Sequence, residues 1–151
     1  MANDNVNIGI VGLGFMAVMH IRAYRQVEGA NIAAICNPSG NRLNGDFSDV
    51  FGNLDSGDPV KLDMSQVKAY QSFDELLADD SIDVIDICAP TRTHVELTKA
   101  ALAAGKHVLC EKPLARTLDD AREIADAAAN AKGLFMTAMC LRFWPQWAWL
   151  K

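Results

Sequence analysis

The four cysteines, Cys36, Cys88, Cys110 and Cys140, are so placed that the chain has no C-x-x-C pair. Compact zinc modules and dithiol redox centres are built on that spacing. Without it the thiols read as small buried hydrophobes, reduced, at the ends of apolar runs, and no metal site is expected. Also missing is an excess of positive charge: 14 Lys and Arg face 19 Asp and Glu, for a net charge of −5. No Lys/Arg cluster is present, so phosphate neutralisation along a nucleic acid is excluded as a function. The start, Met1-Ala2-Asn3-Asp4-Asn5, carries no basic segment, and the apolar run after it is short and broken by glycine. Neither a signal peptide nor a membrane span fits, and a cytoplasmic location is expected.

What is there reads as one ordinary globular domain: 151 residues, half of them hydrophobic and 22% charged. Short apolar runs alternate with amphipathic stretches. Strands are predicted over Val6 to Val11, Asn31 to Cys36, Val67 to Gln71, Asp83 to Cys88, His107 to Cys110 and Leu134 to Met139. Helices are predicted from Gly14 to about Val27, from Ser72 through Leu77, from Thr93 to Ala104 and from Thr117 to about Ala131. Ser72 with Glu75, and Thr117 with Asp120, have the spacing of capping boxes. Gly29, Gly105 and Gly133 stand where helices should stop, and Lys106 and Lys132 beside two of them suit helix carboxyl ends. The stretch Pro38 to Gln66, rich in Gly, Asn, Asp and Ser, is expected to be a loop with at most one helical turn. Strands alternating with helices imply a parallel, doubly wound α/β sheet of the Rossmann type, with helices on both faces.

Three segments carry chemistry. Gly12-Leu13-Gly14-Phe15-Met16-Ala17 matches G-x-G-x-x-[GA] between a predicted strand and a predicted helix, the context in which that motif binds a dinucleotide. Gly12 permits the tight turn, Gly14 lets the backbone approach a pyrophosphate, and Ala17 keeps the helix near the strand. Free amides at Phe15 and Met16, with the helix dipole behind them, favour the anion. An Asp or Glu that would bind the ribose of NAD is usual about 20 residues on. Asn37 holds that place, with Ser39 and Arg42 close enough in sequence to meet a 2′-phosphate, so NAD and NADP both stay open.

The second segment, Ala89-Pro90-Thr91-Arg92-Thr93-His94, follows the fourth strand at the edge where ligands bind in this fold. Ala89, Pro90, Thr91 and His94 are candidate cofactor contacts. The third is Glu111-Lys112-Pro113 after the fifth strand. Lys112 is placed to hydrogen-bond a substrate hydroxyl and help move its proton as hydride leaves the carbon. Glu111 is a further candidate contact. The tail is unusual, because Trp144, Trp147 and Trp149, the only tryptophans, fall within six residues. Such aromatic surface is expected to be covered, either by folding back or by something further. The expected division is a dinucleotide-binding domain over 1–140 and, over 141–151, the start of a connection to a second domain.

The order and spacing of these motifs resemble the Gfo/Idh/MocA family, named for glucose–fructose oxidoreductase, inositol dehydrogenase and a rhizopine-catabolism protein. The matching stretches are Ile8 to Gly14, Ala89 to His94, Ala104-Gly105-Lys106-His107-Val108-Leu109-Cys110-Glu111-Lys112-Pro113-Leu114-Ala115, and Arg142-Phe143. The resemblance implies a nicotinamide-dependent dehydrogenase acting on a sugar, cyclitol or related hydroxyl compound, with Lys112 as its catalytic lysine. It also implies a Lys112–Pro113 peptide that is often cis. Arg142 and Trp144 would lie at the seam with a substrate domain absent from these residues, which in the family often forms the homo-oligomer interface. The resemblance leads one to expect that the chain alone binds cofactor with little or no turnover. Two rivals differ in class. One is a non-catalytic dinucleotide-binding or sensing module. The other is a methyltransferase on a similar sheet, which Asn37 in place of an acidic ribose partner disfavours.

Overall fold

A computed structural model describes residues 5–52 and 58–150. Six strands, β1 (Val6–Val11), β2 (Ala30–Cys36), β3 (Lys68–Tyr70), β4 (Val84–Ile87), β5 (His107–Glu111) and β6 (Phe135–Ala138), pair in parallel in the order β3-β2-β1-β4-β5-β6. This is the doubly wound order expected of a Rossmann-type sheet. Helices α1 (Phe15–Tyr24), α2 (Phe73–Leu77), α3 (His94–Ala103) and α4 (Leu118–Asn130) fill the crossovers. Ser72 and Thr117 cap α2 and α4 by accepting the main-chain N–H of Glu75 and Asp120. The first helix is shorter than its pattern suggests. It ends at Tyr24 and continues as i→i+3 turns to Val27 before Gly29 reverses the chain.

Because successive side chains in a strand face opposite ways, the sheet builds two cores. On one face Ala17, Val18 and Ile21 of α1 pack on Ile8, Ile10 and Ile35. On the other, Ala101 and Leu102 of α3 pack on Val11, Ile85, Ile87, Val108 and Cys110. The Pro38 to Gln66 stretch holds no helix among its described residues. Phe47 and Val60 drop into the α1 core, joined by the Phe47 N–H to Val60 carbonyl bond and an isolated bridge between Asp46 and Lys61. Apolar residues too scattered to form an element can thus anchor a loop.

The α1 face remains open beyond β4. Ile8, Val84, Leu109 and Met136, with Tyr24 and Val27 of the α1 end, line an open apolar groove of about 620 Å³. The tail does not close it. A 3-10 turn over Cys140–Phe143 leads to the short α5 (Pro145–Trp149), where Phe143, Trp144, Trp147 and Trp149 all stay exposed. No helix of the described residues is long and apolar enough to cross a membrane.

Lys106 is not the solvated helix-end cation its position suggests. It is buried, and its Nζ donates to the carbonyls of Asp79 and Ile82, each at 2.9 Å, tying down the turn into β4. Gly133 likewise serves a different end from helix termination, since a Cβ there would lie 2.1 Å from the Lys106 carbonyl oxygen.

Candidate dinucleotide and lysine site

The loops after β1, β4 and β5 leave the same edge of the sheet. The loop after β1 turns to the α1 face and the loop after β4 to the α3 face, which opens a crevice between them. Gly12 has φ +85°, and a Cβ on it would lie 2.6 Å from Ala89 Cα and 2.7 Å from Ala89 N. The glycine therefore answers both to backbone conformation and to the approach of the β4 loop. Gly14 precedes α1 with ordinary φ, is exposed, and has nothing within 4 Å of where a Cβ would be. Beyond it the N–H groups of Phe15, Met16 and Ala17 belong to the first helical turn and have no i−4 carbonyl. An open cradle, unpaired donors and a helix N-terminus fit a pyrophosphate.

Just past the end of β2, Asn37 is engaged with its own loop. Its Oδ1 accepts from Ser39 N and Oγ, and its Nδ2 donates to the Asn41 carbonyl at 2.9 Å. Arg42 reaches back to the glycine loop, its Nη1 donating to the Leu13 carbonyl at 3.2 Å. Its Nε and Nη2 are held by the two Asp49 oxygens at 2.9 and 2.7 Å. The Arg42 guanidinium thus stands beside the glycine loop, already in a bidentate pair.

Two expected cofactor contacts are placed otherwise. His94 is 1% exposed, not at the surface. Its Nε2 lies 2.9 Å from the Ala89 carbonyl, and its Nδ1 lies 3.1 and 3.2 Å from the carbonyls of Pro113 and Leu114. Fully occupied by its own chain, the ring is a strut between the β4 loop and the lysine turn. Glu111 is also buried, and its carboxylate faces His20 and the Lys112 N–H instead of the crevice. Thr93 does not cap α3 with its side chain; its hydroxyl donates back to the Pro90 carbonyl at 2.8 Å. Ala89 and Thr91 are partly accessible at the crevice, and Pro90, Lys112 and Arg142 are exposed. The Lys112–Pro113 peptide is cis.

Below the crevice lies a group that sequence patterns did not single out. His20 Nδ1 is 2.8 Å from Asp86 Oδ2 and its Nε2 is 3.0 Å from Glu111 Oε1, while the Tyr24 hydroxyl donates to the same Asp86 oxygen at 2.8 Å. The available signal was Asp86, a lone carboxylate inside the apolar run Val84-Ile85-Asp86-Ile87. A buried Asp there needs a partner. The donor atoms of His20, Asp86 and Cys88 lie within 4.8 Å of one another. Both ring nitrogens of His20 already face carboxylate oxygens, Nδ1 that of Asp86 and Nε2 that of Glu111. Burial, then the charges of Asp86 and Glu111, push the Cys88 thiol well above its ordinary range. Burial lifts Cys36 and Cys110 to about 11, so these thiols are unreactive near neutrality.

The model of the oxidoreductase family with an NAD-binding Rossmann fold, Gfo/Idh/MocA, matches residues 6–139. The chain belongs to the Gfo/Idh/MocA oxidoreductase family. Its segment of that family is the NAD-binding domain. It is 30% identical over 138 residues to myo-inositol 2-dehydrogenase of Thermotoga maritima, an alignment spanning 91% of this chain and 37% of the relative. An NAD-binding oxidoreductase from Klebsiella pneumoniae superposes with TM-score 0.78 at 30% identity, over 98% of this chain and 38% of that one. An Agrobacterium radiobacter oxidoreductase solved with NAD+, L-tartaric acid and magnesium superposes with TM-score 0.72 at 29% identity, over 89% and 35%. The chain thus spans less than two fifths of the length of each of these three relatives.

Proposed function

We propose that this Gfo/Idh/MocA chain is the cofactor-binding part of an NAD(P)-dependent dehydrogenase acting on a CH–OH group of a sugar, cyclitol or related compound. The observation that carries the reading is the meeting of two loops at one sheet edge. The glycine loop fits a pyrophosphate, and the turn after β5 presents exposed Lys112 on the same side. Gly12, Gly14, Phe15 and Met16 would hold the phosphates, Asn37, Ser39 and Arg42 would face the adenosine ribose, and Ala89, Pro90 and Thr91 would line the wall toward the nicotinamide. The bound nicotinamide supplies hydride acceptance and donation. Lys112 would hydrogen-bond the substrate hydroxyl, take part in moving its proton and stabilise the developing negative oxygen. The bidentate Arg42–Asp49 pair favours NAD over NADP, because a 2′-phosphate must compete with Asp49 for the guanidinium.

The myo-inositol relative supports a polyhydroxylated substrate. The exposed tail, Arg142 and Trp144 included, is assigned to the seam between a domain over 1–140 and a substrate domain, within a homo-oligomer working in the cytoplasm. Fluorescence titration tests the cofactor half: NADH binds this chain, and S-adenosylmethionine does not displace it. Turnover of cyclitols by a chain with the relatives' full length tests the rest. There Lys112→Met is expected to lower kcat by about 10²–10⁴ with NADH affinity unchanged. Loss of NADH binding alongside turnover would remove Lys112 from the chemistry.

A further inference from the structure

Helix α1 turns two stripes toward the sheet. Ala17, Val18 and Ile21 bury against Ile8, Ile10 and Ile35, which explains why the helix lies where it does. His20 and Tyr24, one turn apart and edge-to-face at 6.2 Å, reach over β4 and β5 instead. There they meet Asp86, with no exposed surface, and Glu111, 5% exposed. Two neighbouring carboxyl groups out of water are costly unless a cation bonds them both. An imidazole donates from both nitrogens only as imidazolium, and the two nitrogens of His20 face the two carboxylates at 2.8 and 3.0 Å.

The electrostatics agree. Burial pulls the His20 pKa down, but the hydrogen bond and charge of Asp86, then the charge and hydrogen bond of Glu111, outweigh it and the net shift is upward from 6.5. The remaining groups against the ring are the Tyr24 hydroxyl from α1 and the Cys88 sulfur just after β4, 3.5 Å from Nδ1; burial first, and the carboxylates after it, keep both protonated.

The chain of contacts does not stop at Glu111. Its second oxygen, Oε2, accepts the Lys112 main-chain N–H at 2.9 Å. That bond fixes the peptide plane from which the lysine side chain departs. We propose that His20 is a positioning residue for Lys112: by bridging Asp86 and Glu111 it holds the carboxylate that grips the Lys112 main chain, and so couples the helix after the glycine loop to the direction in which the lysine leaves β5. The importance of this coupling rests on Lys112 being the substrate-facing group, but the coupling itself belongs to the free chain.

It is therefore tested without cofactor, by ¹H–¹⁵N NMR of this protein between about pH 5 and pH 10. The expected result is a His20 ring protonated at both nitrogens at neutral pH, titrating above 6.5, and a Lys112 amide shift that moves with the same midpoint. In Glu111→Gln the His20 midpoint should fall and the Lys112 amide should stop following it. In His20→Gln the pH dependence of that amide over the same range should vanish. Amide shifts of Gly12 to Ala17 in each variant report whether the fold is kept. A purely structural His20 would give variants that melt earlier, with a Lys112 amide indifferent to the titration in the unsubstituted chain. That indifference, or a neutral single-tautomer ring at neutral pH, overturns the proposal. Because the unsubstituted chain gives the decisive readout, a variant that fails to fold does not rescue it. Failure to bind NADH would defeat the functional reading and leave this readout standing.

Discussion

A methyl group at Gly12 would lie 2.6 Å from Ala89 Cα, whereas one at Gly14 meets nothing within 4 Å. Folding thus accounts for the glycine at the first position, while the second leaves open space that the proposed pyrophosphate would take. Gly12→Ala is expected to cost about 2 kcal/mol in chemical denaturation, from overpacking plus a disfavoured φ. Gly14→Ala should keep native stability and lose NADH affinity, read by fluorescence titration. Equal stability loss in both variants would contradict that division. Arg42 offers a second contrast. Asp49→Asn frees its guanidinium from an exposed carboxylate, so NADPH affinity should rise several-fold, about 1 kcal/mol, while NADH affinity stays level. No change in the NADPH-to-NADH ratio would mean that Arg42 does not face the ribose. The placement of Gly12 and Gly14 in the turn between β1 and α1 was legible in the sequence, because motif spacing and strand context fix it locally. His94 and Glu111 were not. Each sits where a motif-rich loop meets a strand or helix, and only the folded chain reveals that their side chains turn inward to partners 19 and 91 residues away.

At the scale of elements, the strands and helices follow apolar periodicity and capping residues, so a parallel, doubly wound sheet could be anticipated from the pattern alone. What periodicity cannot give is which polar side chains of separate elements meet. Asp86 reads as a lone acid in an apolar strand, and His20 as one more residue of an amphipathic helix. Their pairing depends on α1 packing over β1 and β2 so that its second stripe, His20 and Tyr24, reaches the polar side chains of β4 and β5. The long β2–β3 connection was opaque for a related reason: Phe47 and Val60 are too isolated to make a pattern, yet both are core residues. The His20 bridge has a stability signature. Its folded-state pKa is raised above 6.5, so its stabilising contribution is fully present below 6.5 and is lost as pH rises through the folded-state value. Denaturation midpoints should therefore fall on the alkaline side of neutrality in the native chain. That slope should be absent in His20→Gln, and an unchanged slope would show that the bridge does not carry the linkage.

For the whole molecule, the sheet is covered by α3 and α4 on one face and only partly by α1 on the other. The groove lined by Leu109, Met136 and Tyr24 is apolar, and Trp144, Trp147 and Trp149 of the tail are exposed as well. Surface of this kind associates. Trp147→Asp with Trp149→Asp should lower self-association in analytical ultracentrifugation while thermal stability and NADH affinity hold. A parallel drop in thermal stability would place the tail in the fold's own core. The dinucleotide crevice lies at the strands' carboxyl edge, and β-strand residues toward the opposite end, Val6, Ile8 and Val84 among them, line the apolar groove. The two surfaces can therefore be told apart in one experiment.

That experiment is amide chemical-shift mapping of the chain on addition of NADH. The account predicts the largest changes at Gly12 to Ala17, with further changes at Ala89 to Thr91 and at Lys112. Changes confined to the Leu109, Met136 and Tyr24 groove, with the glycine loop silent, would contradict it.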